Sequence, residues 1–203
     1  MGIKERKIRE KEILREKMLN AAAELLVKDG FENLSIRKIA KKIEYSPALI
    51  YHYFKDKSDL VVQLVNQGFD SFLKQVDKIP GEIKKNPEEH LKEFLSALVK
   101  VGIEFPNHYK AIFINYLEEK ISGSYFAESG KREEGFILLV QIVEEGMSRG
   151  IFKEIHVIST AQVVWSSAHG LILTLVAQQD IPKNKKKMII SSFIDLIVNG
   201  LKK

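Results

Sequence analysis

Tyr51, His52 and Tyr53 stand side by side in the segment SIRKIAKKIEYSPALIYHYFKDK, Ser35 to Lys57, with Arg37, Lys38, Lys41 and Lys42 before them and Lys55 and Lys57 after. Rings with polar tips among fixed cations suit nucleic-acid recognition. The cations approach phosphates with release of counterions, and the polar tips reach backbone or base edges. Catalytic chemistry lacks its residues. The five histidines, at 52, 90, 108, 156 and 169, form no HExxH or other pair at metal spacing, and there is no GxSxG and no glycine-rich phosphate loop. With no cysteine, disulfides, thiol redox sensing and thiolate metal sites are excluded. No enzyme activity, metal or cofactor is expected.

Two elements must position those side chains. Ser35 is a candidate N-cap for a helix whose Ile36, Ile39, Ala40 and Ile43 recur at i, i+3, i+4, i+7 and make one apolar stripe. After Glu44-Tyr45, Ser46 is a second cap and Pro47 takes the first helical position, where its missing N–H costs nothing. Ile50 and Phe54, four apart, anchor this second helix inward. Pro47, Ala48, Leu49, Tyr51, His52 and Tyr53 are left on its start and outer faces. Two small helices joined by a tight turn predict a helix-turn-helix, whose second helix lies in the major groove.

From about Ile13 to Leu64 the chain resembles the TetR family of bacterial transcriptional regulators, through LLVKDGFENLS, then IRKIAKKI, then SPALIYHYFKDKSDL. The resemblance implies that Ala48, Leu49, Tyr51 and His52 face bases or adjacent backbone, beside Ser46 and Pro47 at the helix start. It also implies that Ser35, Arg37, Tyr53 and Lys57 hold phosphates. Two departures stand out. Where the family usually places glycine in the turn, this chain has Glu44 or Tyr45, and a left-handed non-glycine residue costs about 1–2 kcal/mol. Where the family commonly has Thr or Ser, Leu49 cannot hydrogen-bond and suits a thymine methyl.

The charge is distributed unevenly. Residues 1–57 hold 14 Lys/Arg and 9 Asp/Glu, whereas residues 58–203 hold 18 of each, so the whole excess of +5 lies on the segment with the helix-turn-helix pattern. A Lys-rich surface by itself signals only solubility; its coincidence with the helix-turn-helix predicts salt-sensitive binding of double-stranded operator DNA. Residues 3–17 carry seven Lys/Arg and four Asp/Glu around Ile3, Ile8, Ile13 and Leu14. Two readings stand: a solvated extension of the first helix, with (i, i+4) pairs such as Glu5 and Arg9, or an arm on the DNA backbone. The start is charged, and the most hydrophobic stretch, Ala161 to Ala177, is broken by Gln162, Ser166, Ser167, His169 and Thr174. No membrane partner is expected, and the location expected is the cytoplasm.

Beyond Lys57 the periodicity is helical throughout. Leu60, Val61, Leu64, Val65, Phe69, Phe72, Leu73 and Val76 predict a linking helix over about 57–76, and Asp77-Lys-Ile-Pro-Gly is the first break. Further helices are expected over about Glu88 to Phe105, His108 to Lys120, Ala127 to Arg149, Ser159 to Gln179 and Asn184 to Leu201. The fold class expected is all-α, about nine helices: a DNA-binding domain over 1–57 and an effector-binding and dimerisation domain over 77–203. Ile190, Phe193, Ile194 and Ile197 belong to a stripe too wide for one neighbour, and Ser167, Gly170 and Thr174 are small residues that let a partner backbone come close. The resemblance implies a homodimer through these two helices; a stripe buried within one subunit is the other reading. Trp165, His169 and Gly170 resemble a C-terminal type named for Trp-His-Gly. Phe94, Tyr109, Phe113 and Tyr116 supply rings that either wall an effector cavity with Trp165 and His169 or simply form core. A pocket of few charges favours a small apolar or amphipathic molecule. The function expected is a repressor released from a palindromic operator by that molecule; the alternative is a DNA-binding regulator governed by abundance or a protein partner.

Overall fold

The structure is a computed structural model, and it describes residues 2–76, 86–110, 131–178 and 180–203. The described residues are all-α: α1 Ile3–Asn33, α2 Ile36–Ile43, α3 Pro47–Tyr51, α4 Lys57–Val76, α5 Pro87–Glu104, α6 Lys131–Ser148, α7 Val157–Ala177 and α8 Lys183–Leu201, with a further helical segment at 106–110. Their one extended pairing is an isolated bridge between Phe152 and Lys202. Two compact units emerge, one of residues 2–68 with 107–110, the other of the described residues of 69–106 and 131–203. α4 contributes to both.

In the first unit α1 is interrupted at Gly30, whose φ of +75° is a backbone state that glycine adopts without a Cβ penalty. The core gathers Met18, Leu19, Ala22 and Leu26 of α1, Ile39, Ala40 and Ile43 of α2, and Ile50, Phe54, Leu60 and Leu64, all at most 3% exposed. Both serine caps form as their positions predict: Ser35 Oγ accepts the Lys38 N–H at 3.2 Å, and Ser46 Oγ accepts the Leu49 N–H at 3.3 Å. Such a cap contributes about 1 kcal/mol. The left-handed turn residue is Glu44, with φ 63° and ψ 41°, the one non-glycine residue with positive φ among those described.

In the second unit α5 packs on α6, α7 and α8, and α6 also packs on α7. α7 is long and apolar enough by composition to cross a membrane, with a mean hydropathy of 1.3 over its best window, half of that window buried inside the chain. Its apolar side faces its neighbours α5 and α6, as the core helix of a bundle does. Gly146 of α6 lies under the fully buried ring of Phe152, so close that a Cβ there would overlap the ring. The turn after α6 is tied to the end of α8, since Lys153 N–H donates to the Leu201 carbonyl at 2.8 Å and Lys203 N–H to that of Ile151 at 3.2 Å.

Candidate nucleic-acid interface

α3 is only five residues long and owes its place to anchors on either side. Ile50 is fully buried, Phe54 is 1% exposed, and Leu49 and Tyr53 lie half-buried against the same core. Each fully buried apolar side chain of this size contributes about 1.5–3 kcal/mol, enough to hold a helix too short to persist alone. What α3 turns outward is Ser46, Pro47, Ala48, Tyr51 and His52, all exposed, with Tyr51 at 57%. Leu49 shares its surface between core and solvent, so its methyl groups are only partly available to a partner.

The cations around α3 do different jobs. Lys38 pairs with Asp29 of α1 at 2.9 Å, and that hydrogen bond holds the Asp29 carboxyl below its ordinary range. Lys42 pairs with Glu24 of α1 at 2.7 Å. Lys17 Nζ donates to the Ile43 carbonyl at 3.2 Å, at the negative end of α2, and lies over the Tyr45 ring. Lys57 Nζ donates to the Phe31 carbonyl at 3.2 Å. Arg37 is exposed and makes no ion pair among the described residues, as is true of Lys41. The sequence counts all these cations alike. The fold ties Lys38, Lys42, Lys17 and Lys57 into the domain and leaves Arg37 and Lys41 facing solvent.

The structure therefore brings Ser35, Arg37, Ser46, Pro47, Ala48, Leu49, Tyr51, His52, Tyr53 and Lys57 together in the first unit, around α2 and α3. Ser35 and Ser46 spend an oxygen lone pair on capping, which leaves their hydroxyl protons for a further acceptor.

The candidates later in the chain separate into groups. Phe72 and Phe94 meet edge to face at 5.3 Å, Phe94 lies 6.4 Å from Trp165, and Trp165 meets His169 edge to face at 4.6 Å. Phe136, a ring the periodicity did not single out, also meets Trp165 edge to face, at 5.9 Å. Tyr109 is buried in the 106–110 segment, and its burial raises its phenol pKa. Phe113 and Tyr116 lie outside the described residues.

On the outer side of the second unit, Ser167 and Thr174 donate their hydroxyls to the Val163 and Gly170 carbonyls one turn back, at 2.7 and 2.9 Å, so α7 presents a smooth face there. On α8, Ile194 turns inward at 8% exposed, while Ile190, Phe193 and Ile197 are half-buried. Among the described residues the most exposed large apolar groups are three that the sequence does not single out as interface: Leu196 at 74%, Met188 at 68% and Val163 at 64%. Val163 and Leu196 line an apolar groove of about 400 Å³ together with Ile155, Val164, Ile197 and Leu201.

A short helix anchored from below, polar on its outer face and flanked by free cations, defines a helix-turn-helix DNA-binding domain. Residues 18–64 match the family profile described as bacterial regulatory proteins, tetR family, so this part of the chain is a DNA-binding domain of the tetR type. Over nearly its whole length the chain is similar to the HTH-type transcriptional regulator QacR of Staphylococcus aureus, 26% identical across 94% of this chain and 99% of that protein. Its fold is that of the TetR family transcriptional regulator PfmR from Thermus thermophilus, with a TM-score of 0.76, 20% identity, and coverage of 92% of this chain and 99% of the other. It is also that of the transcriptional regulator FadR from Bacillus subtilis in complex with stearoyl-CoA, with a TM-score of 0.70, 19% identity, and coverage of 92% and 98%.

Proposed function

We propose that the chain is a homodimeric repressor that binds a palindromic operator and leaves it when a small apolar or amphipathic molecule, of the acyl-chain class, binds among the helices of the second unit. The observation that carries the DNA half is the set of exposed residues on α3, held outward by fully buried Ile50. In this reading Ala48, Leu49, Tyr51 and His52 meet bases, and Ser35, Arg37, Tyr53 and Lys57 meet phosphates. Base contacts set the preference and phosphate contacts the register. Two readers about 34–36 Å apart would engage successive major grooves. The open groove beside Val163 and Leu196 supports pairing through α7 and α8, because apolar area of that kind gains by being covered.

The ring cluster around Trp165 and the fold shared with a regulator holding stearoyl-CoA favour an acyl chain as effector. Nothing in this reading requires catalysis, and a cytoplasmic location follows from the DNA partner. Selection of bound duplexes from a random pool, followed by a salt titration on the winner, tests the reader; failure to enrich any palindrome overturns it. Adding long-chain acyl-CoA to the winning complex tests the switch. Release of DNA together with a raised melting temperature supports it, and a complex indifferent to acyl-CoA removes this effector class.

A further inference from the structure

The first helix carries a structured extension ahead of the reader core. From Ile3 to Met18 it is continuous, its start fixed by Glu5, whose Oε2 accepts the Gly2 N–H at 2.9 Å. At about 100° per residue, Lys4, Lys7 and Lys11 fall on one line with Leu14 and Met18, the side of α1 that faces the reader core. Met18 is fully buried and Leu14 packs against that core. The carboxylates sort the other way. Glu5, Glu12 and Glu16 gather on the far side, and Glu10, nearest the lysine line, is taken up by Arg6 at 2.7 Å. This segregation is invisible in the net count of residues 3–17.

The lysine line also has a fixed place relative to α3. Lys11 Nζ lies 5.7 Å from the centre of the Tyr53 ring, just past the end of the reader helix. One turn further along, Arg15 Nη2 donates to Gln63 Oε1 at 2.6 Å and its guanidinium lies 5.9 Å from the Phe54 ring, which locks the orientation of the extension. Lys7 and Lys4 lie beyond Lys11 by about 6 and 10 Å along the axis. Both are exposed and make no ion pair among the described residues.

We propose that Lys4, Lys7 and Lys11 form a second phosphate-binding surface that grips the DNA backbone flanking the bases read by α3. The partner is the same duplex, and the inference rests on α3 reading DNA. With the carboxylates turned away, the lysine line meets a polyanion without repulsion. Cations without specific base partners add affinity and salt dependence and leave sequence preference alone.

The test measures operator affinity against salt for the full-length protein and three variants at exposed positions. Lys7→Gln lowers the slope of log K against log salt by about one, and Lys4→Gln with Lys7→Gln lowers it by about two. Arg9→Gln, two residues from Lys7 but on the far side, leaves it unchanged. The DNA sequence selected stays the same in all three. Wild-type slope in the double variant, or an equal drop for Arg9→Gln, overturns the arm while leaving the reader intact. Absence of any duplex binding by the wild type overturns both.

Discussion

Lys57 Nζ donates to the Phe31 carbonyl at 3.2 Å and lies 4.4 Å from the centre of the Phe31 ring, joining the first turn of α4 to the last turn of α1. The ammonium keeps two further protons, so the same group can hold α1 and still meet a phosphate. Lys57→Ala is expected to do two separable things. It lowers stability by about 1–2 kcal/mol, through the lost charge-assisted hydrogen bond and ring contact. It also flattens the salt slope of operator binding by about one. Chemical denaturation measures the first and a salt titration the second; an unchanged slope would show that Lys57 serves only to tie the two helices.

Glu44 occupies the left-handed turn between α2 and α3, with φ 63°. Its side chain is exposed and its N–H donates to the Lys41 carbonyl at 3.3 Å, so the backbone, and not the carboxylate, makes the turn. Glu44→Gly relieves a cost of about 1–2 kcal/mol and adds back part of it as unfolded-state entropy. A net gain of about 0.5–1 kcal/mol in a urea titration is expected. A net loss would show that the carboxylate holds the turn through a partner.

The sequence reading succeeded where the cause is local. Ser35 and Ser46 cap because the residues three ahead offer their N–H groups; Ile50 and Phe54 both point inward, but α3 ends at Tyr51 and Phe54 lies past it, its N–H donating to the Ile50 carbonyl at 3.0 Å. The all-α class and the extent of α4, 57–76, follow from a stripe that runs unbroken. Relationships between elements escaped it. No spacing rule links Lys38 to Asp29, Lys42 to Glu24 or Phe136 to Trp165, because each pair meets only after two helices have packed. The width of the apolar stripe on α8 gives the amount of apolar surface but not its direction. Ile194 went to the core and Leu196 to the surface.

His108 is buried in the segment at 106–110, and loss of hydration lowers its pKa from 6.5 to about 4. A histidine held neutral in the folded chain but free to protonate when unfolded gives an unfolded state that binds more protons, so stability rises with pH across that range. The contribution is complete above about pH 6.5 and declines as pH falls towards 4. Between pH 7 and 5 the wild type should lose on the order of 2 kcal/mol from this group. Denaturation curves at the two pH values measure the loss, and His108→Leu should remove most of the difference. The same slope in the variant would assign the acid sensitivity to other groups.

Leu196 and Val163 test the proposed homodimer. They are 74% and 64% exposed in the single chain and line the same apolar groove, so neither supports the fold of its own subunit strongly. Leu196→Glu should therefore leave the melting of an isolated subunit nearly unchanged. In a dimer paired through α7 and α8 the same substitution places a charge against largely apolar surface, at a cost of several kcal/mol per site, because the groove lining holds no Lys or Arg to receive it. The expected result is a dimer for the wild type and a monomer for the variant by sedimentation, with operator affinity falling steeply as two linked half-sites become two separate ones. Val163→Ala, which trims the same face without adding charge, should weaken the dimer by a smaller amount. A monomeric wild type, or a variant that still sediments as a dimer, would move the subunit boundary away from these two helices.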